Sequence, residues 1–357
     1  MNRHATITID EDGPESLRSR IAALRAAQPQ LRARDAAAAL GISEAELVAT
    51  GCGDTAVRLA GRWSGLIAGL PALGPVMALT RNEYAVHEKT GRYDRISFSG
   101  TRGLVLAPDI DLRLFLDHWH HAFAVTEETR SGRRRSLQVF DADGTAVHKV
   151  YLTDASDAAA HAAFVETHRS GDQAPQLTVR AKPVAAEARA IGDADGDVLR
   201  RRWDGLQDTH EFYPMLRELE LGRIDAFRLV EGTYTERAQA GSFRAALELA
   251  AAEGVPIMVF VGSPGVIQIH TGPVANLKEV GPWFNVLDPG FNLHLRQDGI
   301  ASAWIVRKPT KDGIVTSLEI FDADDSQIAW LFGQRKPGEP ERSAWRAIVG
   351  RLPRLGT

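Results

Sequence analysis

The run Gln207-Asp208-Thr209-His210-Glu211-Phe212-Tyr213 sets one imidazole beside two carboxylates and two aromatic rings. A histidine in that setting can coordinate haem iron, its other ring nitrogen oriented by an acceptor. On the residue alone the better reading is a partly buried histidine bonded to backbone, because a lone histidine carries little information. Asp208 or Thr209 can cap a helix start, with Glu211 completing a capping box from Asp208. Pro214 lacks the amide donor a helix needs beyond its first turn, so a break or restart is expected near His210.

Cations form the second chemical group. Arg307-Lys308-Pro309 and Arg335-Lys336-Pro337-Gly338 place charges beside prolines that fix the local backbone. Guanidinium groups suit bidentate contact with carboxylates, although ordinary solvated turns have the same composition. Arg113, inside Leu112-Arg113-Leu114-Phe115-Leu116, is a charge in an apolar run and needs a reason, although in a strand it could simply face water. His118, His120 and His121 surround Trp119 at mixed spacing that defines no metal site. No glycine-rich phosphate loop or nucleophile elbow is evident.

The elements that must position these residues occur twice. Ser136-Leu137-Gln138-Val139-Phe140-Asp141-Ala142-Asp143 reappears as Ser317-Leu318-Glu319-Ile320-Phe321-Asp322-Ala323-Asp324, an offset of 181. The same offset pairs Leu40-Gly41 with Leu221-Gly222, Met77 with Met258, Thr90-Gly91 with Thr271-Gly272, and Pro108 with Pro289. The chain of 357 residues therefore reads as two repeats, 1–180 and 190–357, joined through Thr178 to Asp197 as a connection or frayed helix.

Each repeat opens with helical text. Leu17, Ile21 and Leu24 recur at helical spacing, and the alanine-rich stretch Ala36 to Val48 has Asp35 at its head as a cap. In the second repeat Leu199, Trp203, Leu206, His210 and Tyr213 form a mostly apolar helical stripe. Later segments such as Ile257 to Val261 and Ala303 to Val306 read as strands, with hairpins closing through Asp143-Gly144 and Lys311-Asp312-Gly313. The expected fold class is α+β, helices grouped ahead of a large, mainly antiparallel sheet in each repeat.

Duplication supplies an internal control: positions common to both copies serve the fold, while polar positions unique to one copy are candidates for function. His210 falls on Pro29 or Gln28, since the offset slips by one residue upstream, and neither is an iron ligand. Arg223 corresponds to Ile42, Lys308 to Glu127 and Arg335 to Asp154, while Arg113 corresponds to His294.

Bulk properties exclude several classes. A formal charge of −4 gives no general pull toward nucleic acid or anionic membrane. The stretch from Asp35 to Leu47 has a helix-turn-helix rhythm about Gly41, but Glu44 and Glu46 would repel phosphate and the turn recurs at Leu221-Gly222. Cys52 is the single cysteine, so neither an intrachain disulfide nor a multi-cysteine zinc site can form. The first residues lack the apolar core of a signal peptide and the apolar runs are too short to cross a bilayer, which predicts a cytoplasmic protein without membrane insertion.

Taken together, Gln207 to Phe212, Asp109 to Phe115, Phe291-Asn292-Leu293-His294-Leu295 and Gly333-Gln334-Arg335-Lys336-Pro337-Gly338 resemble the cytoplasmic haemin-degrading or haemin-transport factors of Gram-negative haem uptake systems. The resemblance covers most of the chain. It implies one haem b in a cleft between the halves, with His210 as proximal iron ligand and Arg113 on the distal side near an iron-bound water. It further implies Phe115 lining the distal pocket, and Arg223, Lys308 and Arg335 at positions that hold propionates. A tyrosine often precedes the Gly-Gln-Arg motif in such proteins, and here it is Phe332. The function implied is to receive imported haem and sequester or deliver it, with an importer or a haem oxygenase as partner. The alternative is a haem-degrading enzyme, Arg113 then acting electrostatically in catalysis with electrons supplied from outside.

Overall fold

The computed structural model describes residues 14–129, 132–182, 192–336 and 338–355. Helices α1 (Pro14–Ala27), α2 (Ala33–Leu40) and α3 (Glu44–Ala49) open the chain. The alanine-rich stretch is thus two helices, broken where Gly41 takes the left-handed conformation (φ 71°) that a Cβ would disfavour. Asp35 lies within the first turn of α2 and does not cap it. Ser43 caps α3 instead, in a box with Glu46. Helices α4 (Trp63–Gly69) and α5 (Ala158–His168) complete the first repeat. The second repeat carries α6 (Asp193–Asp204), α7 (Phe212–Glu218), α8 (Arg223–Leu229), α9 (Ser242–Glu253) and α10 (Ser343–Gly350).

The first repeat supplies β1 (Ala56–Leu59), β2 (Val76–Arg81), β3 (Ala85–Gly91), β4 (Ile96–Ser99), β5 (Arg102–Leu106), β6 (Asp111–Phe115), β7 (His121–Thr129), β8 (Gly132–Phe140) and β9 (Ala146–Leu152). The second supplies β10 (Thr235–Ala238), β11 (Ile257–Gly262), β12 (Val266–Gly272), β13 (Leu277–Val280), β14 (Trp283–Asp288), β15 (Phe291–Arg296), β16 (Ser302–Thr310), β17 (Gly313–Phe321) and β18 (Gln327–Gly333). The class is α+β, as the pattern of the sequence implies. Both anticipated hairpins form, β8 with β9 and β16 with β17. The duplicated Phe-Asp-Ala-Asp run has a local purpose. Asp141 Oδ1 accepts from the amides of Asp143 and Thr145, and Asp322 Oδ1 from those of Asp324 and Ser326.

The strands form two nine-stranded sheets, ordered β1-β7-β8-β9-β2-β3-β15-β14-β13 and β10-β16-β17-β18-β11-β12-β6-β5-β4. Each sheet takes six strands from one repeat and three from the other. The exchange is reciprocal: β6 pairs with β12, setting Arg113 opposite Ile267, while β15 pairs with β3. Where the sheets face each other, Gln268 Nε2 meets His87 Nδ1 at 2.9 Å and Lys89 Nζ meets His270 Nδ1 at 3.0 Å. Both contacts join residues 181 apart, so an approximate two-fold axis passes between them. One apolar core lies beneath α9 and α10 and another beneath α4 and α5, and each draws residues from both sheets.

A third core holds the elements around His210. Trp203 is fully buried on α6, donates from Nε1 to the carbonyl of Arg307 at 2.9 Å, and meets Phe212 edge-on at 4.7 Å. These contacts fasten α6 and α7 to β16. Truncating such a side chain to alanine costs about 3–5 kcal/mol. Among the described residues no helix is long and apolar enough to cross a membrane.

Candidate functional site

His210 sits where the sequence calls for a helix restart. After α6 the chain turns, Asp208 takes an extended conformation, and a short 3-10 turn over Thr209–Glu211 leads into α7. Asp208 and Glu211 form the capping box. Pro214 falls in the first turn of α7, where its missing amide leaves no helical hydrogen bond unmade. The stripe expected through this region is corrected at its end. Leu199, Trp203 and Leu206 are buried, but the next inward residue is Phe212, whereas Tyr213 is 68% exposed. The 3-10 turn shifts the helical phase, and His210 consequently faces outward, its side chain 80% exposed.

Its orientation is set by one carboxylate. Asp208 Oδ1 accepts from the His210 amide at 2.8 Å and from the imidazole Nδ1 at 2.6 Å. With Nδ1 donating, Nε2 carries the lone pair that a metal requires. The hydrogen bond from the His210 amide, followed by the imidazole and the nearby charge of Arg335, holds the Asp208 carboxyl below its ordinary range.

Beside Phe212, β16 and β17 carry a buried charge cluster. Glu319, fully buried, accepts from Arg223 Nε and Nη2 at 2.7 and 3.0 Å, and from Lys308 Nζ at 3.0 Å. Ser317 Oγ and Gln327 Nε2 donate to it at 2.7 and 2.9 Å. Burial alone would raise the Glu319 carboxyl, but the charges of Arg223 and Lys308 outweigh it and hold the group well below the carboxylate range. Burial pushes the Lys308 ammonium down to about 8, against the support of Glu319. Arg335 follows β18, and its buried Nη1 finds no hydrogen-bond partner among the described residues. Pro337, in the same motif, lies outside the described residues.

Arg113, Phe115, His210, Arg223, Lys308 and Arg335 all line one cleft of about 1470 Å³. The exchanged strand β6 is what carries the first two there, from the first repeat into the sheet of the second. Arg113 is only partly exposed and is ion-paired with Asp111 on the same face of β6; it does not simply face water. The guanidinium of Arg102 lies 4.9 Å from the Phe115 ring. Apolar walls come from Phe212, Met258, Phe260, Ile267, Trp330 and Phe332. Phe332, 6.0 Å from Lys308 Nζ, offers no hydroxyl to a ligand.

Other candidates part company. Arg307 pairs with Glu236 at 2.7 Å and is not among the lining residues. His118 lines the cleft while His120 and His121 do not. No cluster of three metal-ligating side chains occurs among the described residues. Inspection of the sequence missed Glu319, although the two copies of the Ser-Leu-Gln/Glu run display the change from amide to carboxylate. It also missed the aromatic wall, which β11 and β18 present only once they pair.

These residues fit an iron porphyrin. The cleft offers apolar walls, an imidazole whose Nδ1 is held by a carboxylate, and a buried guanidinium nitrogen that an anionic group would satisfy. The model of the "Haemin-degrading HemS.ChuX domain" matches residues 41–168 and again residues 220–352. The chain belongs to this family. It is 43% identical over 329 residues to the hemin transport protein HemS of Yersinia enterocolitica, spanning 92% of this chain and 94% of that one. Identity to the hemin transport protein HmuS of Yersinia pestis is 42% over 330 residues, with the same coverage. Among solved structures, holo-PhuS, a heme-binding protein from Pseudomonas aeruginosa, superposes with a TM-score of 0.92 at 51% identity, covering 96% of this chain and 100% of that one. The Escherichia coli O157:H7 heme degrading enzyme ChuS gives 0.89 at 38% identity, covering 95% and 99%.

Proposed function

We propose that this protein binds haem b in the cleft between its two repeats, 1–180 and 190–357, and passes the intact molecule to an acceptor in the cytoplasm. His210 Nε2 would hold the iron, with Asp208 holding the ring. Arg223, Lys308 and Arg335 take the propionates, and Arg113 and Phe115 close the opposite side. The supporting observation is a convergence. The imidazole and the three cations unique to the second repeat line a single cleft, although they are far apart in sequence. The imidazole would offer its Nε2 to haem iron held there, and the buried guanidinium nitrogen of Arg335 would gain the partner it lacks.

A haemin titration followed by absorbance tests the assignment. His210→Ala is expected to abolish the wild-type Soret signature or to lower affinity by at least about a hundredfold, the upper range for losing only the supporting partner of a metal ligand. An unchanged spectrum and affinity would refute it. Degradation is the second reading, favoured by Arg113 on the cleft wall and by likeness to ChuS. A defined tetrapyrrole product and released iron, formed with external reductant in the presence of catalase, would decide for it. Transfer of intact haem to an importer-side or oxygenase partner decides for delivery.

A further inference from the structure

We propose that Glu319 is the positioning residue of the propionate subsite, the buried anion that keeps the Arg223 guanidinium and the Lys308 ammonium charged and aimed into the cleft. The inference rests on the haem reading above and adds a residue that touches neither iron nor porphyrin in that reading. Both carboxylate oxygens of Glu319 are occupied by donors, and the two cations share its single negative charge. One net positive charge is thereby left for a ligand anion. Without an anion at this place, the buried Lys308 ammonium and the partly exposed Arg223 guanidinium would stand together unneutralised, and Lys308 would lose its proton or one of the two would swing away.

The duplication supports a functional origin for this carboxylate. At the equivalent position on β8 the first repeat carries Gln138, also buried, whose Nε2 donates to Ser136 Oγ at 3.0 Å. Ser317 and Ser136 are the same residue type, so the strand geometry and its serine are common to both copies. The neighbouring pair is not: Ile42 and Glu127 stand where the second repeat has Arg223 and Lys308. A neutral amide is therefore tolerated by the fold at this place, even with its Oε1 buried and unpartnered among the described residues, and the carboxylate occurs in the copy that also carries the two cations. Arg223 is further held by the faces of Phe212 and Phe227, at 5.0 and 5.6 Å, and Lys308 Nζ lies 4.6 Å from the Phe212 ring. Glu319 thus completes an aromatic and ionic cage that leaves the cations little freedom.

The test compares full-length wild type, Glu319→Gln and Ser317→Ala, each titrated with ferric haemin and with its dimethyl ester, in which both propionates are neutral. Glu319→Gln should weaken haemin binding about tenfold, the loss of one well-placed charged contact. Ser317→Ala, which removes one donor to Glu319, should weaken it roughly two- to threefold. Neither variant should change affinity for the ester or the Soret position. Thermal unfolding of the haem-free proteins checks integrity, and Ser317→Ala decides the question should Glu319→Gln fail to fold. Equal losses on haemin and ester, or haemin binding unchanged or tighter in the variants, would overturn the proposal. Failure of wild type to bind either porphyrin is a different result and removes the haem reading together with this one.

Discussion

Asp208 performs two tasks that substitution can separate. As a helix cap its Oδ1 accepts the His210 amide at 2.8 Å, and as a ligand support it accepts the imidazole Nδ1 at 2.6 Å. Asparagine caps helices as well as aspartate does, so Asp208→Asn should leave the stability of the haem-free protein nearly unchanged. Its amide oxygen still accepts from Nδ1 but without charge, and a charge-assisted bond is roughly twice as strong as a neutral one. The expected loss is about 1 kcal/mol, or roughly fivefold in haemin affinity. Asp208→Ala removes the acceptor altogether. Supporting partners of metal-bound histidines are worth about 10- to 100-fold in affinity, and loss of the cap adds about 1 kcal/mol of destabilisation. Titration with haemin and chemical denaturation of the haem-free proteins measure the two quantities independently. If Asp208→Ala bound haemin as wild type does, or if affinity followed folded stability across the pair, Asp208 would not be orienting an iron ligand.

Two pH dependences follow from buried groups. Lys308, pushed down to about 8 by burial, is fully charged below that value and loses its proton above it. Because the charged form holds the propionates, haemin affinity should fall from about pH 7 to about pH 9, and Lys308→Arg should abolish that decline, since guanidinium stays protonated throughout; a decline unaltered by the substitution would count against Lys308. His148 is enclosed between Tyr93 Oη at 2.6 Å and Thr80 Oγ1 at 2.9 Å, and burial lowers it to about 3. The unfolded chain binds this proton below about 6.5 and the folded chain does not, so stability is lost as pH falls. From about pH 6.5 to about pH 5 the loss is ~2 kcal/mol from this residue alone, and His148→Gln should flatten the acid limb of a denaturation series by that amount.

Much of this molecule is local and therefore legible in its residues. The break at His210 follows from a capping box and a proline a few positions apart. Turns at Asp141 and Asp322 follow from side chains bonding their own backbone. The copy-against-copy comparison separated His210, Arg223, Lys308 and Arg335 from their counterparts without any coordinates, because duplication leaves fold-serving positions alike. Phase was less secure: Phe212 faces inward in place of Tyr213 because one 3-10 turn displaces every later residue around the helix axis.

What no inspection of the chain decides is which repeat's strands lie beside which. As counterparts, β6 and β15 present the same alternation of buried and half-buried residues, so either would pair acceptably with β3 or with β12. Nearest-neighbour preferences are degenerate between the copies, and the choice is made by long-range packing of two whole sheets against each other. That choice brings Arg113 and Phe115 to the wall of a cleft that His210, Arg223, Lys308 and Arg335 reach from the other repeat.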